Sequence, residues 1–152
     1  MYLRAGTATY LIERIIGNGS FGVVLQARTE GTSEVVAIKR VLQDKRYKNR
    51  ELQMMKMFRH PNIVELKNSF YSSGTKEDEV FLHLVMEFLP ETIYKTGRDF
   101  IKKKQQMPLI LIKLFMFQLC RALGYMHSLG ACHRDIKFVS LSFFHNFIFL
   151  NK

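Results

Sequence analysis

Five short segments rich in β-branched residues dominate the first part of this 152-residue chain. They read TYLIERIIG (9–17), GVVLQAR (22–28), EVVAIKRV (34–41), NIVELKNSFY (62–71) and EVFLHLVMEF (79–88). Glycine-containing and polar turns, such as TEGTS and SSGTKEDE, separate them, which is typical of strands joined by hairpins. These segments predict an α+β fold in which the sheet is antiparallel and five-stranded.

Helices are predicted between the third and fourth strands and again after residue 92. Leu52, Met55 and Phe58 recur at helical spacing and predict the first helix. The segment from Pro108 to Gly130 predicts a longer helix that is apolar almost all round, so it should be buried on most sides. The chain offers few later elements to bury it. Polar side chains inside the segment argue against a membrane span.

The charge balance favours acidic or phosphorylated partners, because the net charge is +10, from 23 basic and 13 acidic side chains. A solvated basic surface without a specific partner is the commoner interpretation of such a charge. Nucleic acid is the alternative partner on charge alone. No nucleic-acid motif matches, however, and we expect no nucleic-acid partner. Cys120 and Cys132 have neither metal-ligand nor disulfide spacing. The sequence shows no secretory signal, so we expect the protein to reside in the cytoplasm or the nucleus.

A glycine-rich segment, GNGSFGVV (17–24), joins the first two strands. Glycine lets a backbone approach phosphate closely and turn its N–H groups toward the charge. A dinucleotide-binding unit needs a helix after such a loop, whereas a strand follows here. We interpret the segment as a flap over nucleotide phosphates, with a plain glycine hairpin as the alternative.

Two further motifs carry charged residues that suit phosphoryl chemistry. VVAIK places Lys39 near the end of the third strand, where an ammonium group can reach phosphate oxygens, and Glu51 is the candidate carboxylate to hold it. CHRD follows the long helix, and Asp135 there would accept a hydroxyl proton from a substrate. Taken one at a time, an exposed lysine, an unrelated glutamate and a solvated loop are the commoner interpretations.

In this order and on these elements, the motifs resemble the signature set of protein kinases. Longer segments narrow the resemblance to the shaggy/glycogen synthase kinase-3 family: IGNGSFGVV, VAIKRVLQDKRYKNRELQ, FYSSGTKEDEV, LPET and CHRDIK. The match runs from about Tyr10 to Lys137. The resemblance implies an ATP-dependent serine/threonine protein kinase, a transferase, that uses Mg²⁺ and acts on protein substrates already phosphorylated nearby.

The resemblance also implies a domain order. Residues 1–9 would be an N-terminal extension, 10–90 the small lobe and hinge, 91–137 the start of the large lobe, and 138–152 a tail outside the family pattern. The expected fold is therefore a kinase-like small lobe, with five antiparallel strands and one helix, followed by only the first helices of the large lobe.

Site residues carry over by position. The implied catalytic residues are Asp135, Lys39 and Glu51, with Lys39 holding the α- and β-phosphates. Arg50 and Arg134 are the implied contacts to the phosphate of a primed substrate, because a planar guanidinium binds phosphate bidentately. The implied ATP-binding residues form the flap, the adenine pocket and the hinge: Ile16, Gly17, Asn18, Gly19, Ser20, Phe21, Gly22, Val23, Val24, Ala37, Lys39, Met86, Glu87 and Leu89.

The family pattern breaks inside the catalytic loop. Kinases continue after the aspartate as K-x-x-N, and the asparagine binds Mg²⁺. This sequence reads HRDIKFVS, with Phe138 at a proline position and Ser140 at the asparagine position, and no DFG follows within the 152 residues. Asn146 is out of register. Losing one preorganised electrostatic group costs roughly 10²–10³ in rate. We therefore expect no protein metal ligand, weak nucleotide binding and no significant turnover.

The tail FVSLSFFHNFIFLNK holds five phenylalanines and admits several interpretations. It suits an edge strand or a membrane-touching segment, and it is too short to span a bilayer. It also suits a translated intron or a frameshift, because its common residues have A/T-rich codons. The alternative function is a truncated isoform that binds nucleotide or protein without catalysis. We expect poor solubility, because much apolar surface lacks cover.

Overall fold

The structure is a computed structural model that describes residues 1–19, 22–44, 46, 48–134 and 136. It divides into two compact units. The strand unit comprises Met1–Lys56 and Leu66–Phe88, and the helix unit comprises Met57–Glu65 and Leu89–Lys152. Asp135 and the tail from residue 137 lie outside the described residues.

In its described residues, the strand unit contains one sheet and one helix. Its elements are β1 (Tyr2–Ala5), β2 (Ala8–Gly19), β3 (Gly22–Thr29), β4 (Val35–Leu42), α1 (Arg50–Met57), β5 (Leu66–Ser73) and β6 (Val80–Glu87). The strand order is β1-β2-β3-β4-β6-β5, and every neighbouring pair is antiparallel. The predicted α+β fold with an antiparallel sheet is confirmed.

The sheet has six strands rather than the predicted five. The additional strand is β1, which lies within the segment predicted to be an N-terminal extension. It pairs with β2 from Tyr2↔Leu11 to Ala5↔Ala8 across a short turn. Gly6 in that turn has φ 60°, a left-handed conformation that glycine adopts without steric cost.

The strand predicted over residues 62–71 begins four residues later, at Leu66. Ile63 and Val64 are buried at 4% exposure each, but they lie in no strand. The Asn62 N–H donates to the Nδ1 atom of His60 at 3.0 Å, and the Ile63 N–H donates to the His60 carbonyl at 3.1 Å. A turn therefore uses the backbone donors that a longer strand would need.

Alternation along β4 gives the sheet two different faces. Val36 and Ile38 point to one face, and Ala37 and Lys39 to the other. The first face carries the core cluster of Tyr10, Ala27, Val36, Ile38 and Val85, with Leu3, Ala5, Ala8, Leu25 and Phe70 packed against it. Side chains from both edge strands, β1 and β5, thus contribute to one core.

The helix unit contains α2 (Ile93–Lys102) and α3 (Leu109–Ser128). Thr92 caps α2, because its side-chain oxygen accepts a hydrogen bond from the Lys95 N–H at 3.1 Å. Tyr125 of α3 ties residues 57–65 to this unit. Its hydroxyl accepts a hydrogen bond from the Arg59 N–H at 2.9 Å, and its ring stacks on His60 at 5.0 Å.

The long helix α3 is much more exposed than its apolar sequence predicted. Only Phe115, Ala122 and Met126 of its residues are buried in the described part of the chain. Its length and composition also meet the criteria for a membrane-crossing helix. The core helices of soluble proteins meet the same criteria, so this match carries little weight.

Candidate nucleotide site

The glycine-rich segment forms a hairpin between β2 and β3. The register runs Gly17↔Val24, Asn18↔Val23 and Gly19↔Gly22, and a strand rather than a helix follows the turn. Ser20 and Phe21 lie outside the described residues. The arrangement is that of a flap and differs from the strand–loop–helix of a dinucleotide-binding unit.

Gly22 has a structural role that its motif did not reveal. Its φ is 110°, and a Cβ atom added there would collide with the carbonyl oxygen of Arg40 on β4. Only glycine permits both this backbone conformation and this approach of β3 to β4. The glycine pattern therefore serves sheet packing as well as any contact to phosphate.

One face of the sheet combines an apolar surface with a single buried cation. Directly paired residues of antiparallel strands project to the same side, and the pairs here are Val24↔Lys39 and Ala37↔Met86. Ala37, Lys39 and Met86 are 1%, 4% and 1% exposed. Ile16, in β2 just before Gly17 of the flap, is 40% exposed. Such a surface suits a flat apolar ring attached to a negatively charged group.

Lys39 and Glu51 form a buried ion pair. The Lys39 Nζ atom lies 2.7 Å from Oε1 and 3.0 Å from Oε2 of Glu51, and the two side chains are 5% and 7% exposed. Both residues belong to the strand unit. Removing one member of a buried ion pair is costly, because the charge that remains loses the attraction that offset its desolvation.

Helix α1 holds Glu51 in position. The Asn49 side-chain oxygen accepts a hydrogen bond from the Leu52 N–H at 3.0 Å, which caps the start of the helix. Glu51 lies in the first turn, where the helix dipole favours a negative charge. Leu52 and Met55 are buried and fix the apolar side of the helix.

The remaining predicted site residues are divided between the two units. Arg50 begins α1 and is exposed, and Glu87 ends β6. Leu89 and Arg134 belong to the helix unit, where Arg134 is exposed and has φ 62°. Asp135, Phe138 and Ser140 lie outside the described residues, so their roles stay predictions.

The described residues fit the nucleotide better than they fit a metal ion. Lys39 offers a cation, and the glycine hairpin offers backbone donors. The surface formed by Val24, Ala37 and Met86 offers an apolar wall. Among the residues that the structure describes, no three His, Cys, Asp or Glu side chains come together as a metal-binding group. The family's two Mg²⁺-binding positions are not represented among them.

His83 is a buried titratable residue that the sequence did not single out. It is 1% exposed, its Nε2 atom lies 2.8 Å from the Ser72 Oγ atom, and its ring stacks on Phe70 at 4.5 Å. Burial, reinforced by the positive charge of Arg40, lowers the pKa of His83 to about 4. Because β6 alternates, His83 shares the core face with Val85 and lies opposite the Met86 face. It therefore belongs to the core rather than to the candidate site.

The small lobe of a protein kinase is defined by three features. They are a glycine hairpin, an antiparallel sheet, and a buried ion pair between a lysine of the sheet and a glutamate of a single helix. The family described as "Protein kinase domain" matches residues 10–141, and the chain belongs to this family. A relative from Pyricularia oryzae, "Glycogen synthase kinase 1", is 60% identical over 124 residues, which cover 82% of this chain and 32% of that protein. The predicted resemblance to glycogen synthase kinases is thereby confirmed. The chain spans about a third of the length of this curated relative.

Proposed function

We propose that this chain carries the ATP-binding part of a serine/threonine protein kinase, and that by itself it binds nucleotide weakly without significant phosphoryl transfer. The buried Lys39–Glu51 ion pair is the observation that supports this most directly. In protein kinases this pair must be formed before the phosphates of ATP can be held for transfer.

Each part of the proposed site has a physical role. The Lys39 ammonium neutralises the α- and β-phosphates, and Glu51 keeps it oriented toward them. Val24, Ala37 and Met86 enclose the adenine, while the flap glycines turn backbone N–H groups toward the phosphates. Bound ATP supplies the phosphoryl group.

The proposed substrate is a protein that already carries a phosphate near the acceptor serine or threonine. Arg50 and Arg134 would bind that phosphate, since one guanidinium group can donate two parallel hydrogen bonds to phosphate oxygens. Asp135 would accept the proton of the acceptor hydroxyl. These roles rest on the match of each residue to the family pattern.

The proposed lack of turnover rests on Ser140, which stands where kinases have the Mg²⁺-binding asparagine. A serine hydroxyl is shorter than an asparagine amide and does not present its oxygen at the same point. Loss of a preorganised electrostatic group lowers a rate by roughly 10²–10³. The same observation favours the second candidate function, a non-catalytic isoform that binds nucleotide or protein.

A calorimetric titration with Mg²⁺-ATP tests the nucleotide part of the proposal. We expect weaker than micromolar binding by the wild type and none by the Lys39→Met/Glu51→Leu double variant, which removes the pair without leaving a buried charge. Lys56→Gln removes an exposed lysine of α1 and is the matched control, with unchanged affinity expected. Equal affinity of the double variant and the wild type would contradict the assignment of Lys39.

A phosphotransfer assay with a primed phosphopeptide tests the catalytic part. We expect no turnover above the uncatalysed rate from the purified chain. Turnover that co-purifies with the chain and disappears in Asp135→Ala would refute the proposed inactivity. The outcome does not depend on the binding experiment, because nucleotide can bind without being hydrolysed.

A further inference from the structure

Two β-bulges interrupt β2 before it reaches the flap. The register of its pairing with β3 shifts once at Glu13 and again at Ile16, and each of these is an extra residue in β2. A bulge bends its strand, increases the local twist and often lies beside an active site, where it re-aims a side chain. Gly17 of the flap follows Ile16 directly. The conformation of β2 at the two bulges therefore sets the direction in which the flap leaves the sheet.

A chain of side-chain hydrogen bonds holds the first bulge. The Glu13 carboxylate accepts a hydrogen bond from Gln26 Nε2 at 2.7 Å and another from Arg28 Nε at 2.9 Å. The Oε1 atom of Gln26 accepts in turn from Arg14 Nε at 2.9 Å. A single β3 side chain, Gln26, is thus bonded to two consecutive residues of the bulge. Arg28 adds an ion pair, because its Nη2 atom lies 2.9 Å from Oε1 of Glu13.

This network lies on the same side of the sheet as the apolar wall of the candidate site. Directly paired residues of antiparallel strands project to the same side of their sheet. The pairs Arg14↔Gln26, Gln26↔Ala37 and Ala37↔Met86 form one row across β2, β3, β4 and β6. Ala37 and Met86 belong to the proposed adenine wall, and Arg14 and Gln26 continue the same row. A movement of β2 at the network therefore changes the position of the flap relative to that wall.

We propose that Glu13, Gln26 and Arg28 form a clamp that fixes the bulge of β2 and thereby holds the flap over the nucleotide. They are positioning residues, which act through the backbone of β2 and the flap rather than by contact with the nucleotide. The Glu13 and Arg28 side chains are 27% and 43% exposed, and an isolated surface ion pair contributes little to stability. Here, however, the bonds converge on a bulge, where the ladder of backbone hydrogen bonds is locally disrupted. The effect on nucleotide affinity rests on the proposed function, whereas the clamp itself acts in the free chain.

Hydrogen exchange of the full chain tests the clamp without nucleotide. Gln26→Met keeps the length of the side chain and removes both of its polar atoms. The amides of residues 17–19 and 22–24 should exchange about three- to tenfold faster, which corresponds to the loss of a hydrogen bond of ordinary net strength. The amides of β6 should change less than about twofold. Lys67→Met is the matched control, because it breaks an ion pair of similar exposure, 2.8 Å from Lys67 of β5 to Glu34. It should leave the flap amides unchanged.

An exchange of charges tests the ion pair of the clamp. Arg28→Glu places a second carboxylate against Glu13 and should speed exchange of the same flap amides at least as much as Gln26→Met does. The Glu13→Arg/Arg28→Glu double variant restores an ion pair with the charges exchanged, so it should recover most of that increase. A double variant whose flap exchanges as fast as that of Arg28→Glu would contradict the part assigned to the ion pair.

Calorimetry with Mg²⁺-ATP tests the consequence of the clamp for the proposed function. Gln26→Met should bind the nucleotide about three- to tenfold more weakly than the wild type, because the free flap then spends less time in the binding conformation. Lys67→Met should bind it as the wild type does. A wild type that binds no nucleotide would refute the proposed function, while faster flap exchange in Gln26→Met would still support the clamp.

Several outcomes would overturn the proposal. One is equal flap exchange in Gln26→Met and the wild type, and another is the same acceleration in Lys67→Met. Acceleration spread evenly over all six strands would assign the network to the general stability of the sheet instead. Equal nucleotide affinity of Gln26→Met and a wild type that does bind would show that the clamp does not position the flap for the nucleotide.

Discussion

The strand unit and the helix unit differ in how far their apolar side chains are exposed to solvent. In the strand unit, Ile38 and Leu82 are 0% exposed at the centre of the sheet. In α3 of the helix unit, Ile110 and Phe117 are 71% and 59% exposed, although α3 is the most apolar helix of the chain. The strand unit has a closed core of its own, whereas the described part of the helix unit leaves its largest apolar surface uncovered.

Polar groups sharpen this contrast. The strand unit buries the ion pair of Lys39 with Glu51 and the hydrogen bond between His83 Nε2 and Ser72, although the Nδ1 atom of His83 has no hydrogen-bond partner among the described residues. Such sets are costly to break, because a buried polar atom that loses a hydrogen bond is left with its full desolvation cost. The difference teaches that stability in this molecule should be sensitive to substitution in the strand unit and tolerant of it on the exposed side of α3.

The largest expected effect comes from separating the buried ion pair. Glu51→Ala leaves the Lys39 ammonium buried without its carboxylate, which should lower the free energy of unfolding of the strand unit by about 3–5 kcal/mol. The Lys39→Met/Glu51→Leu variant removes both charges and should recover most of that loss. Denaturant unfolding followed by hydrogen exchange of the β4 amides measures both. A double variant no more stable than Glu51→Ala would mean that the loss is not due to an unpaired charge.

A matched pair of isoleucines compares the two units directly. Ile38→Ala removes a fully buried side chain and should cost about 2–5 kcal/mol, including the cavity it leaves. Ile110→Ala makes the same chemical change at an exposed position of α3 and should stay within about 0.5 kcal/mol of the wild type. Hydrogen exchange of β4 and of α3 reports each unit separately. Similar losses at both positions would show that Ile110 is covered in solution.

The glycine hairpin offers a second matched pair. Gly22→Ala places a Cβ atom against the Arg40 carbonyl and forces a non-glycine residue to φ 110°, so it should cost about 2–3 kcal/mol. Gly19→Ala, in the same hairpin, meets nothing within 4 Å and should cost less than about 1 kcal/mol. Thermal unfolding of the two variants makes the comparison. If both variants lost the same free energy of unfolding, the loss would arise within the flap rather than from the contact of β3 with β4.

The smallest effect is the pH dependence that His83 confers. Its pKa is about 4 in the folded chain and about 6.5 when unfolded, so the unfolded state binds the proton more readily between these values. Stability due to this group is complete above pH 6.5 and should fall by about 2 kcal/mol as the pH drops to 5. His83→Asn does not titrate and should flatten this part of the unfolding profile. An unchanged profile would assign the acid sensitivity to other groups.

Much of the fold follows from the sequence because strand alternation and turn chemistry are local. The two faces of β4 can be assigned from the letters VVAIK alone, and the order of the kinase motifs indicates that Lys39 meets Glu51. The strand β1 was missed because four residues, YLRA, are too few for an alternation to be recognised. The start of β5 was misplaced because Ile63 and Val64 are apolar and buried without being paired in the sheet.

Other features depend on neighbours that are distant in the sequence. Gly22 was assigned to phosphate binding, but its closest restraint is the Arg40 carbonyl on the adjacent strand, which no local pattern reveals. A groove between α2 and α3 is lined by residues of both helices and by Met107 of their connection, which no local pattern brings together. The exposure of α3 is likewise a property of what surrounds the helix rather than of its composition.

The order of strands in the sheet has a consequence for synthesis on the ribosome. The first four strands are neighbours both in the sequence and in the sheet, so each hairpin can close soon after it leaves the exit tunnel. The free edge of β4 pairs with β6, which begins at Val80, 38 residues after β4 ends at Leu42. During the seconds of translation between them, β4, a largely apolar strand, presents an unpaired edge. A nascent chain paused between these two strands is therefore the form of this protein most exposed to misassociation.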